Sequence, residues 1–130
     1  MGWNPNSREI ESILKLSAEE RYWYCIKRWA DTEMIWSLAQ KTGWALVADK
    51  HGQQCIPVWP HSSFALLCAT GSWEGFAPKA IPLDVWTSRW LPGIAKDSRG
   101  IAVFPTVEDK GVIVDSTVVA MDLQSELEKY

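Results

Sequence analysis

Trp44-Ala45-Leu46-Val47-Ala48-Asp49 and Gln53-Gln54-Cys55-Ile56-Pro57-Val58-Trp59, separated by Lys50-His51-Gly52, decide the fold class. Both runs are apolar and β-branched, and Gly52 can supply the positive φ that a tight connection needs, so residues 44–59 read as a β-hairpin. Pro57 has no N–H to give to a ladder, which predicts an edge position or a bulge there. The same grammar recurs downstream. Gly100 to Thr106 and Gly111 to Asp115 form a second hairpin, joined by Val107-Glu108-Asp109-Lys110.

Helical patterns surround the hairpins. Ser7 is placed to cap a short helix with Ile10, Ile13 and Leu14 on one stripe, closed by Lys15 and Leu16. Ser17-Ala18-Glu19-Glu20 is a capping box, and Tyr22, Cys25, Ile26 and Trp29 then share a face. Asp31-Thr32 breaks that phase, and Met34, Ile35 and Leu38 resume it on a shifted stripe. The N-terminal helices are therefore expected over residues 7–40, ending at Gly43. His61-Ser62-Ser63 opens another helix, with Phe64, Leu67 and Cys68 inward. Residues 71–82 are irregular, with a short strand over Lys79-Ala80-Ile81-Pro82. Asp84 caps a helix carrying Trp86 and Trp90, which Pro92-Gly93 ends or kinks. Ser116 or Thr117 caps the last helix, over 117–129, with Val119, Leu123 and Leu127 in line. The order predicts one α+β domain over residues 1–130: a mostly antiparallel sheet from two β-hairpins, with helices packed against it.

Composition narrows the function classes. The chain has 130 residues, 47% of them hydrophobic, and a net charge of −3. Nucleic acid and anionic membranes both reward positive charge, so neither is an expected partner. No run of 18 apolar residues is present. The opening Met1-Gly2-Trp3-Asn4-Pro5-Asn6 has neither the basic-then-apolar pattern of a secretory leader nor, with Asn6 in place of Ser or Thr, an acylation motif. Cys25, Cys55 and Cys68 are an odd count without a CxxC, as expected of free thiols in a cytoplasm.

Chemistry-bearing motifs are few. Cys25, Cys55, Cys68, His51 and His61 match no zinc spacing, so no metal is expected. There is no nucleophile elbow and no phosphate-binding glycine pattern, so no catalytic residue and no cofactor is assigned. Gly71-Ser72-Trp73-Glu74-Gly75 follows a helix, not a strand, and reads as a loop. Glu19-Glu20 belongs to a helix start and Glu108-Asp109 to a hairpin tip.

What stands out is nine tryptophans. Trp prefers sites where its ring is buried and its N–H is paired. Trp59 and His61 lie at a strand end entering a helix, Trp73 and Glu74 in a loop, and Trp86, Arg89 and Trp90 on one helix, with Arg89 close enough to stack on either ring. Lys79 to Arg99 carries four basic residues against two acidic ones. Two readings stand: these rings pack the second half of the core, or they line a groove for a peptide, a small ligand or an acidic partner.

Several strings resemble the small bacterial family named domain of unknown function 2750. They are Gly43-Trp44-Ala45-Leu46, Pro57-Val58-Trp59-Pro60-His61, Ala69-Thr70-Gly71-Ser72-Trp73, Ile81-Pro82-Leu83-Asp84, Trp90-Leu91-Pro92-Gly93 and Val103-Phe104-Pro105-Thr106. Their order and spacing carry the resemblance, from about Arg21 to about Asp115. It implies a compact bacterial cytoplasmic domain and brings no catalytic residues. The leading expectation is a non-enzymatic protein- or peptide-binding module, of which a toxin-neutralising immunity protein is one form. The alternative is a small metabolite-binding protein or enzyme using His61, whose ordinary pKa suits acid–base work. A third is a homo-oligomer with tryptophans at its self-interface.

Overall fold

The computed structural model describes residues 3–130; Met1 and Gly2, the start of the segment read above for a leader or an acylation motif, lie outside it. Helix α1 (Ser7–Leu14) is capped by Asn6, one residue before the expected Ser7: its side chain accepts the Glu9 N–H at 2.8 Å. Helix α2 (Ala18–Thr32) starts on the expected box, with Glu20 N–H donating to Ser17 Oγ and Ser17 N–H to Glu20 Oε1. It stops where the apolar phase breaks, with Glu33 in the left-handed region at φ 60°.

Beyond Glu33 the chain departs from the helical expectation. Met34–Gln40 is a strand, β1, not helix. Ser37 sits on its inward side and is fully buried, its hydroxyl donating to the Pro57 carbonyl at 2.6 Å. A serine at a core position hides the period-2 pattern and leaves Ile35 and Leu38 at a spacing that imitates a helix. β1 pairs antiparallel with β2 (Gly43–Trp44) and with β5 (Ala77–Pro82), giving the sheet order β2-β1-β5. β5 is longer than the strand expected at residues 79–82.

The expected hairpin over residues 44–59 divides. Trp44 goes to β2 in the first sheet, while β3 (Val47–Ala48) pairs with β4 (Gln54–Val58) around the Gly52 turn. The downstream hairpin is β6 (Gly100–Val103) against β7 (Val112–Val114). β4 and β6 lie parallel, Cys55 beside Gly100 and Val58 beside Val103, so the second sheet is mixed, in the order β3-β4-β6-β7. The two sheets meet where Trp36 and Trp59 exchange both main-chain hydrogen bonds, at 2.8 and 3.1 Å.

Pro57 therefore occupies an interior strand and not an edge. Val58 turns its carbonyl to β6, accepting the Phe104 N–H at 2.8 Å. Alternation along the strand then points the Pro57 nitrogen the other way, past the end of β3, where no ladder donor is called for.

Helix α3 (Ser62–Leu67) follows β4, and a 3-10 turn (Gly71–Trp73) leads into β5. Phe64, Ala65 and Cys68 are buried as an inner face, whereas Leu67, expected there, is 46% exposed. The helix after β5 is continuous from α4 (Leu83–Val85) through a π-helical turn (Trp86–Trp90) into α5 (Leu91–Lys96). It begins at Leu83, so Asp84 lies inside it and not at its cap. Leu91 N–H bonds the Trp86 carbonyl, one residue further back than in an α-helix. That wider turn makes room for the Pro92 ring, and the helix continues to Lys96. Helix α6 (Ser116–Leu127) is preceded by Asp115 as its N-cap, not Ser116 or Thr117. It packs on α2 and α5.

One hydrophobic cluster runs through both sheets, with Trp29, Trp59, Trp86, Phe64 and Phe104 as its largest fully buried side chains.

Candidate functional site

The tryptophans of the predicted surface divide between core and rim. Trp59 and Trp86 have no exposed surface. The Trp59 indole N–H donates to the Pro105 carbonyl at 2.8 Å, and the Trp59 carbonyl accepts from the Trp29 indole at 3.0 Å. Trp73 is half-buried, edge-on to Trp59 at 6.0 Å, with its N–H on the Leu46 carbonyl. Trp90 is half-buried and lies between Trp86, stacked at 5.8 Å, and Trp44, edge-on at 4.6 Å. Glu74 and Arg89 are exposed. Among the described residues the cation–π contacts belong to Arg21, Arg28 and Lys79, so the expected Arg89 stack is not formed. Trp86 turns into the core, and the π-helical turn leaves Arg89 facing outward. The seven predicted residues thus do not converge on one groove.

His61 is placed differently. It is the N-cap of α3, its Nδ1 accepting the Ser63 N–H at 3.1 Å. That fixes Nδ1 as the acceptor and leaves the proton on Nε2, which donates to Asn4 Oδ1 at 3.1 Å. Burial lowers the His61 pKa from its ordinary value, so the ring is neutral at pH 7. Trp3 lies edge-on to it at 5.3 Å and Trp36 tilted at 6.1 Å. The three rings line a cleft of about 350 Å³, together with Asn4, Thr32 and Ser62.

Trp3 is held there by a local network. The Arg28 guanidinium covers its ring at 4.1 Å and pairs with Glu9 at 3.3 Å. Glu9 also accepts from the Tyr24 hydroxyl at 2.9 Å. Burial and that carboxylate push the Tyr24 pKa up to about 12.

A second concavity lies at the other end of α3. Leu14 of α1 and its C-cap Lys15, Phe64 and Leu67 of α3, and Pro105 and Val107 of the loop after β6 enclose about 440 Å³. Leu67 is 46% and Val107 75% exposed, and Glu11 and Glu108 stand at the rim. Among the described residues no ion pair engages Glu11, Lys15 or Glu108. Sequence reasoning missed this groove, because Leu67 continues the apolar stripe of Phe64 and Cys68. The only available signal was Val107, an apolar residue in a loop.

The loop wall is rigidly tied. Arg21 is buried, its guanidinium donating to the Leu16 carbonyl at 2.8 Å, to the Phe104 carbonyl at 3.2 Å and to the Asp109 carboxylate. The cysteines are buried and free. Burial raises the pKa of all three thiols, that of Cys68 to about 11. Among the described residues no group of three or more His, Cys, Asp or Glu side chains could hold a metal ion, and no helix is long and apolar enough to cross a membrane.

No curated protein and no solved structure matches the chain. A family model does. Its description is "Protein of unknown function (DUF2750)", and it matches residues 22–123, beginning next to the Arg21 where the resemblance starts and running past Asp115 into α6. That span holds both sheets, most of α2, α3 and the long helix, and the chain belongs to the DUF2750 family.

Proposed function

We propose that this protein is a non-enzymatic binding module of the bacterial cytoplasm, which seats an apolar, basic-flanked segment of another protein in the groove between α1, α3 and the loop after β6. The observation that carries the reading is the pairing of exposed Leu67 and Val107 around an apolar cavity of about 440 Å³. A concavity of that size admits one or two large side chains, the usual anchors of a protein interface. Glu11 and Glu108 at its rim outnumber Lys15, and the protein as a whole carries −3, which favours a basic partner segment. Three free cysteines support the cytoplasmic address. An immunity protein that neutralises a basic toxin is one concrete form.

The test is a photo-crosslinking amino acid at Val107 in living cells, followed by binding measurements on the crosslinked segment as a purified peptide. Expected is one heterologous product, bound at least about tenfold more weakly by Leu67→Asp and also more weakly by the Glu11→Lys, Glu108→Lys double variant. A second copy of the same chain as the product, or binding indifferent to these changes, overturns the proposal.

A further inference from the structure

We propose that the cleft at the N-terminus of α3 is a second, separate site, which binds a neutral hydroxylated ring, a monosaccharide or simple glycoside, against Trp3 and Trp36. Its volume of about 350 Å³ suits a ligand of that size. Indole faces pack the C–H face of a pyranose, and a rim of hydroxyl and amide groups can pair with its hydroxyls. Among the described residues no hydrogen bond engages the Ser62 hydroxyl or the Asn4 amide nitrogen, so both are available.

Charge argues for neutrality. Among the described residues no Asp, Glu, Lys or Arg lines the cleft. The outer cation, Arg28, is spent on Glu9 and Asp31, and it already covers one face of Trp3 at 4.1 Å, which disfavours a cationic ligand on that ring. His61 presents a neutral ring held by Ser63 and Asn4.

Shape argues for a puckered ring. The Trp3 plane meets His61 at 71° and the Trp36 plane meets it at 46°. Those angles keep the two indole planes from being strictly parallel, a splayed wall that suits a puckered ring better than a flat aromatic base. Trp36 and His61 lie inside the family match, whereas Trp3 and Asn4 precede it, so the N-terminal segment of this chain completes the site.

The experiment is saturation-transfer NMR on the full chain with methyl glucoside, methyl galactoside and methyl N-acetylglucosaminide, with choline and adenosine as competing classes. Expected is transfer to ring C–H protons of at least one glycoside at millimolar concentration, weakened about tenfold by Asn4→Ala and abolished by Trp3→Ala. Both variants lie outside the sheets, and a retained cooperative unfolding transition, even at a lower melting temperature for Trp3→Ala, confirms that they fold. Leu67→Asp, which disables the α1–α3 groove, leaves the glycoside signal intact. Absence of transfer from every glycoside, preference for choline or adenosine, or a signal indifferent to Trp3 and Asn4 overturns the proposal.

Discussion

Trp29 donates its indole N–H to the main-chain carbonyl of Trp59 at 3.0 Å, and Trp59 in turn donates its own to Pro105 at 2.8 Å. The chain of donors ties α2 to the end of β4 and β4 to the loop after β6, all in the fully buried interior. Trp86 is equally buried, yet among the described residues its N–H has no partner.

A Trp→Phe series separates the two situations. Each change removes similar volume, but Trp59→Phe leaves the buried Pro105 carbonyl with only the weak Cys68 thiol donor at 3.4 Å, whereas Trp86→Phe removes a donor that is already unpaired among the described residues. In both cases the acceptor keeps another donor, so Trp59→Phe and Trp29→Phe should each cost about 0.5–1.5 kcal/mol more than Trp86→Phe in urea unfolding. Equal losses at the three positions would refute the assignment.

Arg21 and Asp109, far apart in sequence, form an ion pair in which Arg21 is buried and Asp109 half-exposed. Asp109→Asn keeps an acceptor for the Gly111 N–H at 2.7 Å but leaves a buried guanidinium uncompensated. We expect Asp109→Asn and Arg21→Met to destabilise by more than about 2 kcal/mol each, and the double variant to recover about 1–3 kcal/mol of their sum. Additive losses in a double-mutant cycle would show that the two groups act independently.

His61 sets a pH dependence. Its pKa is lowered in the folded state, chiefly by burial. The unfolded chain therefore binds the proton more readily, and stability rises with pH through the window below the ordinary value near 6.5. The contribution is complete above that value and is lost as pH falls through the window. A melting series from neutral toward mildly acidic pH should fall more steeply for the native protein than for His61→Asn, which keeps a neutral N-cap acceptor. Parallel curves would contradict this.

Two glycines with positive φ differ in what surrounds them. A Cβ on Gly52 meets nothing within 4 Å, whereas one on Gly111 meets the Val103 carbonyl at 2.2 Å. Gly52→Ala should cost about 1–2 kcal/mol, the conformational term alone. Gly111→Ala should cost about 3 kcal/mol and loosen the groove wall at Val107. Similar melting temperatures for the two variants would be inconsistent with that packing.

The fold class, both hairpin turns, the capping box and the break after Thr32 were legible because each has a local cause. Met34–Gln40 was not, because buried Ser37 is satisfied by Pro57, a partner only the tertiary fold supplies. Nor was the side-by-side placement of β4 and β6, which no local pattern encodes. Of the candidate residues, His61 lines one cavity and Arg89 and Trp90 another, while Trp59 and Trp86 serve the interior. Composition announces that tryptophans are many; it does not say which way each ring faces. Leu67 shows the converse, an apolar stripe that the fold leaves uncovered.

The parallel pairing of β4 with β6 also orders events in time. Between Val58 and Gly100 lie α3, β5 and the long helix, all of which must be synthesised before β6 can arrive. During synthesis β4 waits with one flank open, and its Ile56 and Val58 are apolar. Closure over such sequence separation is slow. The β6 strand is thus the step at which this chain either completes itself or meets another copy in the same unfinished state.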